Sequence, residues 1–432
     1  MRKRMAIAAA FLAVVLFAQG HARGAGLNFN DPLTNNQWYL SQLHFNEAWQ
    51  TISALPTRGS VTVAVVDSGF QTDHGDLDDN LHGGINIVDN SNNLAPVHPH
   101  GTATAGLPGS ISGNSFGISQ SALFADVMPI RVSNRSDGGA FISDIAKAIM
   151  YAADNNARVI NISYSGVDHP TLELAAEYAW NKGSVVFMAA GNDGLRHNEW
   201  ANHRHLIAVG ATAPSGQIAG FSTRGKFVDL VAPGQSITTL YTDDQFATWS
   251  GTSFSSPIAA SVAALMLTAN PDLSPDQVDW LLRATAVDPA AAVKDKRANV
   301  RDQIRRVRNV EKKERLRRQL QRLNEKVRSI DEVWGAGRID ALAAVEASLR
   351  VTGAWAGTGD SPLVPNNPGD YSGLIASLSG RGNANPLVLP QGYLDTLGKA
   401  GVPSAIPEPG TILLILAALP LLATRKPRRP AA

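Results

Sequence analysis

Apolar runs of two kinds alternate along most of this chain. Residues 61–66, Val-Thr-Val-Ala-Val-Val, are nearly all apolar, without the in–out alternation of a half-exposed strand. Such a run predicts a strand covered on both faces, as in a parallel sheet. Residues 123–132, 159–163, 185–190, 206–211 and 228–231 read the same way. Between them, 142–155 and 172–182 have helical spacing, and 37–40 and 48–49 are short amphipathic pieces. Residues 258–265 are small and apolar, which predicts a buried helix whose neighbours pack close to its axis. Strands alternating with helices predict an α/β fold, a doubly wound and mostly parallel sheet with helices on both faces.

The two ends read differently. Met1-Arg2-Lys3-Arg4, the apolar run 5–18 and Gly20-His21-Ala22 form the charge–apolar–cleavage order of a secretory signal peptide over 1–22. The folded domain is expected over 27–350. Residues 352–405 are rich in Gly, Pro, Asn and Ser and predict a flexible linker. Pro407-Glu408-Pro409 is followed by an apolar run over 412–423 and by Arg425-Lys426-Pro427-Arg428-Arg429. That run is shorter than the ~20 residues of a typical span. Its basic flank orients the tail to the cytoplasmic side. The segment 406–429 resembles the bacterial C-terminal sorting signal processed by exosortases. The resemblance implies a transient inner-membrane anchor, a sorting transpeptidase as partner, and a final place at the cell surface or outside a Gram-negative-type cell.

Composition changes the picture in two ways. There is no cysteine, which excludes disulfides, thiolate catalysis and cysteine metal sites. The net charge of +1 hides a basic insertion at 294–330. There Lys and Arg outnumber Asp and Glu fifteen to five, leaving a net −9 for the rest. This stretch has no Gly or Pro and reads as helical. Leu316, Leu320, Leu323, Val327 and Ile330 alternate four and three apart, coiled-coil spacing sustained for about two heptads. It predicts a solvated helical hairpin, an arm for an anionic polymer, or a partner helix. Nothing in it reads bases specifically.

The candidate chemistry sits at the ends of elements. Asp67 closes the 61–66 strand, where α/β proteins place their sites. His100 and Ser253 each start a helix of small residues, and Asn192 follows the 185–190 strand. A serine hydroxyl needs an imidazole to take its proton, and the imidazole needs a carboxylate to hold it. A donor must meet the oxyanion.

Asp67-Ser68-Gly69, His100-Gly101-Thr102 and Gly251-Thr252-Ser253 match, in that order, the three signature blocks of the subtilisin family (subtilases), which the chain resembles. The likeness runs from about 30 to 290 and resumes at 334–340. It implies a serine endopeptidase acting on protein or peptide substrates, with Asp67, His100 and Ser253 catalytic and Asn192 in the oxyanion hole. Ser163, Tyr164, Ser165, Gly166, Ala189, Ala190 and Gly191 would line the substrate site. It also implies structural calcium, held by Asp31, Asp76, the Asn114 side chain and the carbonyls of Ile111, Phe116 and Ile118; oxygen donors suit that ion.

Three departures stand out. Ala103 replaces a usual second histidine, Ser165 replaces a usual glycine on the pocket wall, and Pro108 should shorten or kink the His100 helix. Between the signal peptide and residue 30 there is no room for the family's inhibitory prosegment. The rival expectation is a catalytically silent surface scaffold on this fold, acting through its basic helix.

Overall fold

Each of the six runs read as strands contributes a strand to the sheet, because a backbone with apolar side chains on both faces is stable only between two layers. The computed structural model describes Leu27 and residues 29–351; the expected export signal, linker and sorting signal lie outside the described residues. The strands of the main sheet are β1 (Val61–Asp67), β2 (Ile85–Asn86), β3 (Ala125–Arg131), β4 (Val159–Ile162), β5 (Val185–Ala189), β6 (Leu206–Thr212) and β7 (Leu230–Pro233). Their order is β2-β3-β1-β4-β5-β6-β7, and every pairing is parallel.

The two faces carry two cores. Along β1, Val63 and Val65 face one core while Ala64 and Val66 face the other. The first core contains residues of α1 (Trp38–Gln42), α2 (Phe45–Ser53), α3 (His100–Gly109), α6 (Thr252–Ala269), α7 (Pro275–Thr285) and α10 (Ala341–Ser348). The second contains residues of α4 (Ile142–Asp154) and α5 (Pro170–Asn181). In α6, Ala259, Ala260, Ala263 and Ala264 are wholly buried, so small side chains do bring its axis close to the sheet. Among the described residues α6 alone is long and apolar enough to cross a bilayer, but it is a core helix.

Some bounds differ from the pattern. The run at 228–231 pairs only from Leu230, because the Val228 amide turns back onto the Gly225 carbonyl. The two-residue β2 and the antiparallel ribbon of β8 (Ile237–Leu240) and β9 (Phe246–Trp249) are too short or too polar to announce themselves. The helix α3 continues through Pro108 and stops at Gly109. The basic insertion is a helical hairpin of α8 (Ala291–Arg306) and α9 (Val310–Trp334), folded on each other and wider than the expected 294–330.

Candidate active site

Asp67, the last residue of β1, is fully buried, and its carboxylate is surrounded by donors. The amide of Ser68 donates at 2.7 Å, its hydroxyl at 3.1 Å and Thr104 Oγ1 at 3.0 Å. His100 Nδ1 lies 2.8 and 2.9 Å from the two carboxylate oxygens. This geometry depends on α3 starting very close to the end of β1. A Cβ at Gly101 would lie 2.1 Å from the Gly69 carbonyl oxygen, so only glycine fits there. The His100 ring meets Trp249 and Phe254 edge-on, with centroids 6.3 and 5.7 Å away. Burial pulls the imidazole pKa down, but the charge and hydrogen bond of Asp67 outweigh it, and the net shift is upward from 6.5.

Ser253 stands in the first turn of α6, where amide groups lack helical partners. Its Oγ donates to the Ser163 carbonyl at 3.2 Å, and Ser163 Oγ donates to the Ser253 carbonyl at 2.8 Å. No hydrogen bond joins Ser253 to His100 in this state; such bonds commonly tighten when substrate binds. Asn161 and Ser256 complete this polar chain through Asn161 Nδ2–Ser163 Oγ, 3.0 Å, and Ser256 Oγ–Asn161 Oδ1, 2.7 Å.

Asn192 is oriented by Thr252. Its Oδ1 accepts from the Thr252 amide at 2.8 Å and from Thr252 Oγ1 at 3.0 Å, and Thr252 Oγ1 accepts from the Gly191 amide at 3.1 Å. With Oδ1 committed, Nδ2 is the group left to donate. A point at the Gly251 Cβ position would lie 3.7 Å from the Ser253 amide nitrogen, from Asn192 Nδ2 and from the already committed Asn192 Oδ1. Two donors therefore border one small space beside Ser253, a fit for a developing oxyanion.

Ala189 and Ala190 are buried at the end of β5, and Gly191 and Gly166 have φ of +111° and +113°. Ser165 is exposed. Tyr164 donates to the Gly138 carbonyl at 2.9 Å, and burial pushes its hydroxyl pKa up.

The residues expected to hold calcium also come together. Asp31 and Asp76 are buried, and the Asp76 pKa is pushed up to about 7, mainly by burial and in part by the Asp31 charge. Asp31 accepts from the Gly113 amide and Ser119 Oγ, and Asp76 from the Ile118 amide. No hydrogen bond among the described residues ends on the carbonyls of Ile111, Phe116 or Ile118. Asn114 is placed differently from its expected role: its Nδ2, not its oxygen, faces Asp76 Oδ1 at 2.9 Å. The amide thus supplies the positive end that a cation would otherwise supply. Two carboxylates and three uncommitted carbonyls are a donor set that suits calcium. Among the described residues no group of three His, Cys, Asp or Glu could hold a metal ion.

Sequence reasoning missed several supporting groups. Thr104 lies four residues after His100, one helical turn on, and that spacing was a usable signal. Thr252 stands inside the Gly251-Thr252-Ser253 motif, whose local pattern marks no role for its hydroxyl. Trp249 comes from the unpredicted ribbon and had no local signal.

A family model described as the subtilase family matches residues 58–319. A thermophilic serine proteinase of Bacillus sp. (strain AK1) is 42% identical over 249 residues, 55% of this chain and 61% of that protein. Thermitase of Thermoactinomyces vulgaris is 38% identical over 240 residues, 55% of this chain and 84% of its own. Among solved structures, that of the proteases from Pseudoalteromonas arctica PAMC 21717 aligns with a TM-score of 0.57 at 25% identity, covering 74% of this chain and 99% of that one.

Proposed function

Because the chain belongs to the subtilase family, we propose that it is an exported serine endopeptidase acting through Asp67, His100 and Ser253. Ser253 Oγ attacks the scissile carbonyl as His100 Nε2 takes its proton. Asp67 keeps the other proton on Nδ1 and stabilises the imidazolium. Asn192 Nδ2 and the Ser253 amide receive the oxyanion. The imidazolium then protonates the departing amine, leaving an acyl-enzyme that water hydrolyses by the same steps in reverse.

The observation that carries this reading is the saturated Asp67–His100 pair, set beside an asparagine whose donor end is left uncommitted. Export rests on the leader at 1–22, and transient anchoring with exosortase-type processing on the segment 406–429. Calcium at Asp31 and Asp76 would add positive charge where two buried carboxylates meet.

The test is covalent labelling by a fluorophosphonate probe. Labelling of the purified chain, lost in Ser253→Ala, is the expected result. A folded, calcium-loaded protein that takes up no probe would overturn the enzyme reading and favour the silent scaffold.

A further inference from the structure

The basic hairpin takes no part in this chemistry and is fastened to the body at its foot. Glu332 pairs with Arg196 at 2.5 Å, and its carbonyl accepts from the Gly225 amide. Lys294 pairs with Asp288 and Asp331. Beyond that foot, α8 and α9 carry their own small apolar seam. Val300, Leu316 and Val327 are buried in it and belong to neither main core.

On α9, Lys312, Arg315, Arg318, Arg322 and Lys326 are all exposed. None makes an ion pair or a side-chain hydrogen bond among the described residues. Their spacing of three and four residues keeps them on one flank of the helix, bordered by Glu311, Glu314 and Glu325, which stand three or four residues from Arg315, Arg318 and Arg322. A rise of ~1.5 Å per residue sets neighbours about 4.5–6 Å apart along roughly 21 Å. Arg318, Arg322 and Lys326 are like charges four residues apart, which disfavours a helix. Five cations face only these three glutamates, none of which pairs with the stripe among the described residues, and Glu325 instead accepts from Gln321, so an anionic partner would relieve the remaining repulsion.

The chemistry of the flank selects among anions. A lipid surface needs apolar side chains to enter it. On the hairpin only Val310, at the turn, is a large and strongly exposed apolar residue among those described. Single-stranded nucleic acid is held by aromatic stacking, and the hairpin has no aromatic residue before Trp334. Duplex DNA also crowds its charges at about one per 1.7 Å of axis. A linear chain of uronic acids carries about one charge per sugar, close to the spacing of the stripe. We propose that the Lys312–Lys326 flank of α9 binds a linear acidic polysaccharide along its length. The hairpin would thereby hold the protein on an anionic matrix independently of catalysis.

The test uses the chain carrying Ser253→Ala, to prevent self-digestion, and fluorescein-labelled polygalacturonate, read by anisotropy over a salt series. Neutral dextran, duplex DNA and phosphatidylglycerol vesicles are the comparison ligands. Binding should weaken with salt. It should fall about tenfold or more in Arg315→Ser/Arg318→Ser/Arg322→Ser, and less than about twofold in Arg301→Ser/Arg305→Ser/Arg308→Ser on α8 and the turn that follows it. The α9 variant should keep its helical circular dichroism and its Tm, because the three side chains are exposed and pack in neither core. No binding to polygalacturonate at low salt would overturn the proposal. So would equal losses in both variants, or tighter binding to DNA or vesicles.

Discussion

Two buried aspartates nine residues apart show how one side chain takes on opposite characters. Asp67 ends a strand where the Ser68 amide, two hydroxyls and an imidazole converge on it. Asp76 is also buried, but it faces a second carboxylate at Asp31, and burial pushes its pKa up to about 7. Burial alone raises a carboxyl pKa. What separates the two sites is the count and charge of the donors that the fold delivers. In one region the carboxylate serves a neighbouring base; in the other it is a site in search of positive charge.

The hardest test of this contrast removes each charge in turn. Asp67→Asn should lower kcat by ~10⁴ by favouring the wrong imidazole tautomer, with little change in KM. Steady-state kinetics on a peptide substrate measures it. If the loss is under tenfold, Asp67 is a structural residue and the contrast fails.

Asn192→Ala tests the companion claim that the site is built from oriented donors. The expected loss is ~10²–10³ in kcat. Thr252→Val, which removes the hydroxyl that orients Asn192, should lose activity in the same direction but by less.

At the other aspartate the expected effects concern stability. Calcium at about a hundred times its Kd should add about 2.7 kcal/mol to unfolding, seen as a rise in Tm. In Asp76→Asn that response should shrink. Without calcium the same variant should be as stable as the parent or more so, since a buried carboxylate short of positive charge is replaced by a neutral group. Equal calcium responses in the two proteins would move the metal elsewhere or remove it.

The finest test is pH. His100 is raised above 6.5, and catalysis needs its neutral form, so the acid limb of kcat/KM should have its inflection above 6.5. The stabilisation from the protonated His100–Asp67 pair is present below 6.5 and is lost as pH climbs through the raised value. In Asp67→Asn only the burial effect remains, and it acts downward, so the inflection of the residual activity should drop below 6.5.

The sequence by itself determined the layers and the chemistry at their edges. Val61–Val66 could not be anything but an interior strand, and Asp67 follows it directly at the edge where α/β sites form. The small residues of α6 and the placing of His100 and Ser253 at helix starts were legible for the same reason: they are properties of neighbouring residues. The tertiary structure decided what depends on residues far apart in the chain. Thr252 meets Asn192 across sixty residues, and Trp249 reaches His100 from a ribbon whose short strands give no clear periodic signal. The turn of the Asn114 amide toward Asp76 was likewise set by a packing partner. Local pattern records which face of an element must be buried. Which donor reaches a given carboxylate is fixed only when distant segments pack at angstrom range, and no local periodicity encodes that distance.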